Sequence, residues 1–343
     1  HEQPFPDSIS VAFRLWDEEF AFNHMQLDTK LFAEDAKMEV TNPDGSVTYH
    51  PHTLNTYISE LSFDDSDSKG WAVVTLAKDG LMTATINMGD DTIQVNPVFV
   101  HSHEMDEETH ADLLKHTPHG MVAVKHSDMV HLKEGKHQCG VVQPKGPKDG
   151  EAAQPEEINP DDIQWDSLGN HTLVDDDNGS VSSSRRLLAY PPGYGVTRYT
   201  NCYTGDSTAH KLSMGVAVDY GFYAIYGSTA AVQNAIANVF ASVNAVYLAQ
   251  MNMFHEITST VIKAAADSTA WNRSPATRGG RCDSVTINTD LNDFTSWRSS
   301  TYPKTNGLWY LLTACYPAPG TVGLAWLGVL CSSTYGTGVS SYT

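Results

Sequence analysis

KLSMGVAVDYGFYAIY (211–226) followed by GSTAAVQNAIANVFASVNAVYL (227–248) decides the fold, because the apolar period changes between the two stretches. The first is a near-continuous apolar run and reads as a buried strand. In the second, Val232, Ile236, Val239, Phe240, Val243, Val246 and Tyr247 recur at helical spacing as one broad stripe, the pattern of a helix packed on a sheet. Ser228 precedes the stripe and reads as its N-cap. Working toward the C-terminus, FHEITSTVIKA (254–264) reads as a strand and LNDFTSW (291–297) as part of a short helix. LWYLLTA (308–314) is a buried strand, and TVGLAWLGVL (321–330) is one or two more. This alternation predicts a mixed sheet with packed helices.

Upstream the pattern is different. Residues 1–143 read mainly as strands. VAFRLWDEEFAFNHMQL (11–27) alternates apolar and polar, with Phe13, Leu15, Phe20 and Phe22 as inward positions. NPDGSVTY (42–49) is a turn and a strand. WAVVTLAKDGLMTATINMGDDTIQVNPVFV (71–100) is a three-stranded meander with turns at Lys78-Asp79-Gly80 and Gly89-Asp90-Asp91. EMDEETHADLLKH (104–116) predicts a short helix. Residues 144–187 are rich in Pro, Gly, Asp, Glu and Ser without periodicity and read as a linker. The fold class expected is α+β: a β-rich unit over 1–143, a linker over 144–187 and an α/β unit over 188–343.

The net charge of −20 argues against nucleic acid, which selects basic patches. The chain opens on His1, read as the end left by a removed signal segment, so an extracellular or cell-surface location through the secretory pathway is expected. Sequons at Asn170, Asn178 and Asn272 suit that location as glycosylation sites. So do the cysteines: Cys202, Cys282, Cys315 and Cys331 allow two disulfides. Cys202–Cys282 with Cys315–Cys331 is one of three pairings. Cys139 is left over, in GKHQCGVV (135–142). A thiolate is a soft ligand for zinc, so a cysteine on a removable segment is suited to capping a metal. SSSRR (182–186) places Arg185 and Arg186 at the linker end, a dibasic processing site. Twelve of the fifteen histidines precede residue 144. HSHEMDEETH (101–110) holds metal-ligand types, although solvated histidine is the commoner reading.

VAVDYGFYAIYG, NAVY (244–247), DFTSWR (293–298), LLTA (311–314) and TVGLAWLGVLCS (321–332) together resemble the N-terminal part of a reprolysin (adamalysin)-type metzincin. The meander at 78–98 is similar to that family's propeptide, and HQCGVV (137–142) to its cysteine switch. The resemblance implies a latent zinc metalloendopeptidase acting on protein or peptide substrates. It makes Cys139 the inhibitory zinc ligand, and the strand Gly323, Leu324, Ala325 and Trp326 the edge that pairs with substrate. The family's zinc site is HExxHxxGxxH on a helix, and no HExxH occurs in the 343 residues. His255-Glu256 has Ser259 at the second His position, and His103-Glu104 has Glu107. The expected partner is therefore the remainder of the protease domain, in the same chain beyond Thr343 or on a separate one. The alternative is a non-catalytic extracellular structural or interaction module on the same fold. Ser213 and Asn306 stand where the resemblance places acidic calcium ligands, so that ion is not expected.

Overall fold

The computed structural model describes residues 5–16, 18–62, 69–88, 91–101, 107–117, 120–128, 138–142, 209–273, 285–302, 305–314 and 321–341. The linker with Arg185 and Arg186, the sequons at Asn170 and Asn178, and Cys202, Cys282 and Cys315 lie outside these residues.

The first segment forms β1 (Ser8–Leu15), β2 (Glu18–Leu27), β3 (Phe32–Thr41), β4 (Val47–Pro51), β5 (Thr56–Ser62), β6 (Lys69–Leu76), β7 (Met82–Asn87) and β8 (Thr92–Pro97). The helices α1 (Val98–His101) and α2 (Glu107–His116), then β9 (Met121–Lys125) and β10 (Gln138–Val142), complete it. Seven of these strands make an antiparallel sheet in the order β1-β2-β5-β6-β7-β8-β9. Its centre is the expected meander, with Gly80 at φ 87° in the turn between β6 and β7. Phe20 and Phe22 are buried and Phe13 stacks on Phe20 at 5.6 Å.

The second segment forms β11 (His210–Val218), α3 (Tyr220–Tyr226), α4 (Thr229–Met251), β12 (Met253–Lys263), α5 (Ile287–Thr301), β13 (Leu308–Thr313), β14 (Thr321–Trp326) and β15 (Thr337–Ser341). The expectation of one strand over 211–226 is corrected here. β11 stops at Val218 because the Asp219 side chain accepts from Phe222 N–H and caps α3, which then closes on Gly227 at φ 73°. Ser228 caps α4 as the sequence implies, accepting from Ala231 N–H at 3.2 Å.

The second sheet has eight strands in the order β10-β14-β15-β13-β11-β12-β3-β4. Three of them, β3, β4 and β10, come from before residue 144. β3 runs parallel to β12, with Thr260 opposite Met38 and Ile262 opposite Val40. Successive residues of a strand face opposite sides. Val216, Val218 and Leu312 therefore pack under α4, while Ala217, Leu311 and Trp309 pack under α5.

α4 lies between the two sheets, touching β12 on one side and β5, β6 and β7 on the other. This changes the single-stripe reading. Val239 is exposed, and Ala237, Ala241 and Ala245 are buried in its place. The second face meets the first sheet through polar side chains. Asn238 Nδ2 donates to the Thr83 carbonyl at 3.1 Å, and Thr85 Oγ1 donates to Asn238 Oδ1 at 2.9 Å. Gln233 Nε2 donates to the Thr53 carbonyl at 2.9 Å, and Asn55 Nδ2 to Asn234 Oδ1 at 2.9 Å. Buried amides of this kind must be paired, so they fix how the helix is seated.

Candidate active-site edge

β14 holds the four residues expected to meet a substrate. Leu324 and Trp326 point into the core under α5, and Trp326 Nε1 donates to Thr295 Oγ1 at 2.9 Å. Thr295 is itself tied to Thr337 of β15 at 2.7 Å, so helix, edge strand and neighbouring strand share one buried hydroxyl pair. The opposite face carries small residues, Gly323 and Ala325, beside Gly338 and Ser340 of β15. A Cβ at Gly338 would come within 2.7 Å of the Tyr310 ring, so glycine is what lets β13 and β15 pack there.

The outer side of β14 is occupied by β10, whose backbone runs parallel to it. Cys139 stands opposite Gly323, Gly140 opposite Leu324, Val141 opposite Ala325 and Val142 opposite Trp326, with an irregularity between Gln138 and Cys139. HQCGVV and GLAW, read separately from the sequence, thus lie side by side. The chain beyond β14 turns through Gly328 at φ 70° and leaves Leu327 and Leu330 exposed. Cys331 follows as an exposed thiol at φ 64°, its N–H donating to the Gly307 carbonyl at 2.8 Å.

The described histidines do not suit a catalytic zinc. His255 lies on β12, a strand, where residues four apart do not share the helical geometry that an HExxH pair requires. Its ring is buried, faces Asn244 Oδ1 at 3.0 Å and packs edge-on to Tyr247 at 4.8 Å. Burial holds it neutral, with its pKa down to about 4. Glu256 is paired with Lys211 at 2.8 Å. Among the described residues no cluster of three His, Cys, Asp or Glu side chains is arranged to hold a metal. Residues 102–106 of the histidine-rich stretch lie outside the description. His52 stacks on Phe32 at 4.1 Å. These residues do not make a catalytic zinc centre.

Asn272, the asparagine of the third sequon, lies beside the start of α3. It is buried, its Nδ2 donates to the Ala265 carbonyl at 2.9 Å and to Asp267 Oδ1 at 3.0 Å, and its Oδ1 accepts from Tyr220 N–H at 2.8 Å. A glycan on that nitrogen would remove at least one of its bonds to Ala265 and Asp267.

The sequence reading missed a set of buried charges. Asp219 is fully buried and accepts from Thr313 Oγ1 and from Ala314 N–H as well as from Phe222 N–H. Burial pushes its pKa up to about 7 against the pull of those donors. Arg273 pairs with Asp290 at 2.8 Å and with Asp293, bracing the first turns of α5. Arg298 is buried and donates from Nη2 to the carbonyl oxygens of Thr305 and Asn306 at 3.4 and 3.3 Å. The one sequence signal available was the Asp219 position, at the point where an apolar run gives way to Tyr-Gly.

The reprolysin model of metallo-peptidase family M12 matches residues 208–343. Across 97% of its length the chain is 24% identical, over 370 residues, to the disintegrin and metalloproteinase domain-containing protein B of Aspergillus fumigatus. It spans 45% of that relative, less than half. The family match and the relative together support a reprolysin-type, M12-like metallo-peptidase segment over residues 208–343.

Proposed function

We propose that this chain is the propeptide and the front part of a latent, secreted or cell-surface zinc metalloendopeptidase that hydrolyses peptide bonds in protein or peptide substrates. In this reading residues 1–143 are the inhibitory unit and Cys139 is the inhibitory metal ligand. The linker is cut after Arg186, and the HExxH ligands lie outside residues 1–343. The observation that supports it is the pairing of β10 with β14. A peptide added to that edge is a β-augmentation contact, and a strand already seated there excludes a second one. β10 and a substrate strand would compete for the same outer backbone edge of β14. The alternative reading is a non-catalytic extracellular structural or interaction module on the same fold.

Peptide mass spectrometry of the native protein separates the two. The protease reading expects peptides carrying HExxHxxGxxH, from this chain or a tightly bound second one, and a cut after Arg186. A protein without any such peptide is the interaction module.

A further inference from the structure

The sheet order carries an inference about what cleavage of the linker does. The first segment meets the second at two edges of the same sheet, and the two contacts differ in kind. β10 is a five-residue strand with one neighbour, β14, among the described strands. β3 is a ten-residue strand with neighbours on both sides, β12 and β4. Met38 and Val40 of β3 are buried in the core that also holds Val216, Ile236 and Ile262. Backbone bonds extend the pairing at both ends, from Ile257 N–H to the Leu31 carbonyl at 2.8 Å and from Ala264 N–H to the Thr41 carbonyl at 3.0 Å.

From this we infer that the β3–β4 hairpin is a permanent part of the M12 unit's sheet and that β10 is the movable element. Residues 5–125 then remain as a non-covalent subunit after the linker is cut. Their departure would open the β12 edge, a row of unpaired backbone groups. It would also strand the Asn238 amide, which the first sheet satisfies through Thr83 and Thr85. β10 gives up one edge only, and the cut frees the end that tethers it to the second segment. The surface is an obligate interface within one gene product, with the chain's own first segment as the partner. The role given to β10 rests on the proposed latency; the retention of the hairpin does not.

The test is to insert a site-specific protease sequence between Gly150 and Glu151 of the full chain, cut it, and pass the product over a sizing column in native buffer. Co-elution of the two fragments at the uncut volume, with separation in denaturant alone, is expected. Hydrogen exchange on the cut product gives a second readout. Amides of Met38–Thr41 should keep their protection, while those of Gly140–Val142 should exchange roughly tenfold faster or more, as expected for local opening of one edge. Separate elution without denaturant, or equal loss of protection in both strands, overturns the inference. Neither result depends on whether HExxH is found, so its failure is distinct from failure of the protease reading.

Discussion

Replacing Gly215 by alanine is expected to cost about 1–3 kcal/mol of stability, the range for forcing an extra carbon into a filled core. Gly215 lies on β11 directly opposite Trp309 of β13, and a Cβ there would overlap the indole ring. The ring has nowhere to go. It is fully buried, Tyr302 stacks on it at 4.6 Å, and Trp297 meets it edge-on at 5.5 Å. Trp297 in turn contacts Phe294 and Trp271, so a shift would have to pass through the whole aromatic cluster under α5. Trp309→Ala alone should cost about 3–5 kcal/mol, as large-to-small changes at buried aromatics do. The two changes should not add. With the indole gone, the alanine at 215 meets a cavity, and the double variant should recover at least about 1 kcal/mol relative to the sum. Urea unfolding of the four proteins measures this. Additivity within about 0.5 kcal/mol would mean that the glycine is not there to seat the tryptophan.

Asp219→Asn should flatten part of the pH dependence of stability. The carboxyl is driven up to about 7 by burial, so the folded protein holds a proton that the unfolded chain, near 3.8, does not. A raised carboxyl pKa gives stability that is fully present below the unfolded value and lost as pH rises through the folded one. The difference between wild type and variant should therefore fall by about 1.4 kcal/mol per pH unit between pH 5 and 7, and stay constant above. Asparagine is the right comparison because its Oδ1 can keep the bonds from Phe222 and Ala314 N–H, while its Nδ2 replaces the Oδ2 that faces Thr313 Oγ1 and carries no titratable proton. Two histidines pull the other way. Burial lowers His52 and His255 to about 4, so both contribute stability above their ordinary value near 6.5 and lose it as pH falls toward 4. Both are common to the two proteins and cancel in the difference. A difference that does not change between pH 5 and 7 would show that Asp219 is ionised in the folded state.

Much of the second segment was legible because its signals are local. The N-cap at Ser228, the strand at 308–314 and the helix around 291–297 each follow from residues within a turn or two. The meander at 71–100 was legible for the same reason, through its turn residues. What could not be read is where β3, β4 and β10 go. Parallel pairing of β3 with β12 joins residues more than 200 positions apart, and no periodicity within either strand names its partner. The two-sided burial of α4 was hidden by its composition. Alanine at 237, 241 and 245 and asparagine at 238 read as a weak face, yet small residues let the sheet approach and the amide bonds across the gap. The same limit applies to the site. Cys139 and the β14 residues were found by motif, but that they are neighbours, in parallel and in register, is a property of the fold alone.

The most direct measurement is peptide hydrolysis by the full-length native protein before and after cleavage of the linker behind Arg186. If β10 closes the β14 edge, the uncut protein is silent and hydrolysis rises by roughly tenfold or more once the tether is cut, as for removal of a local competitor at high effective concentration. Equal hydrolysis before and after the cut would contradict the account, because a substrate would then be reaching its site with β10 still in place.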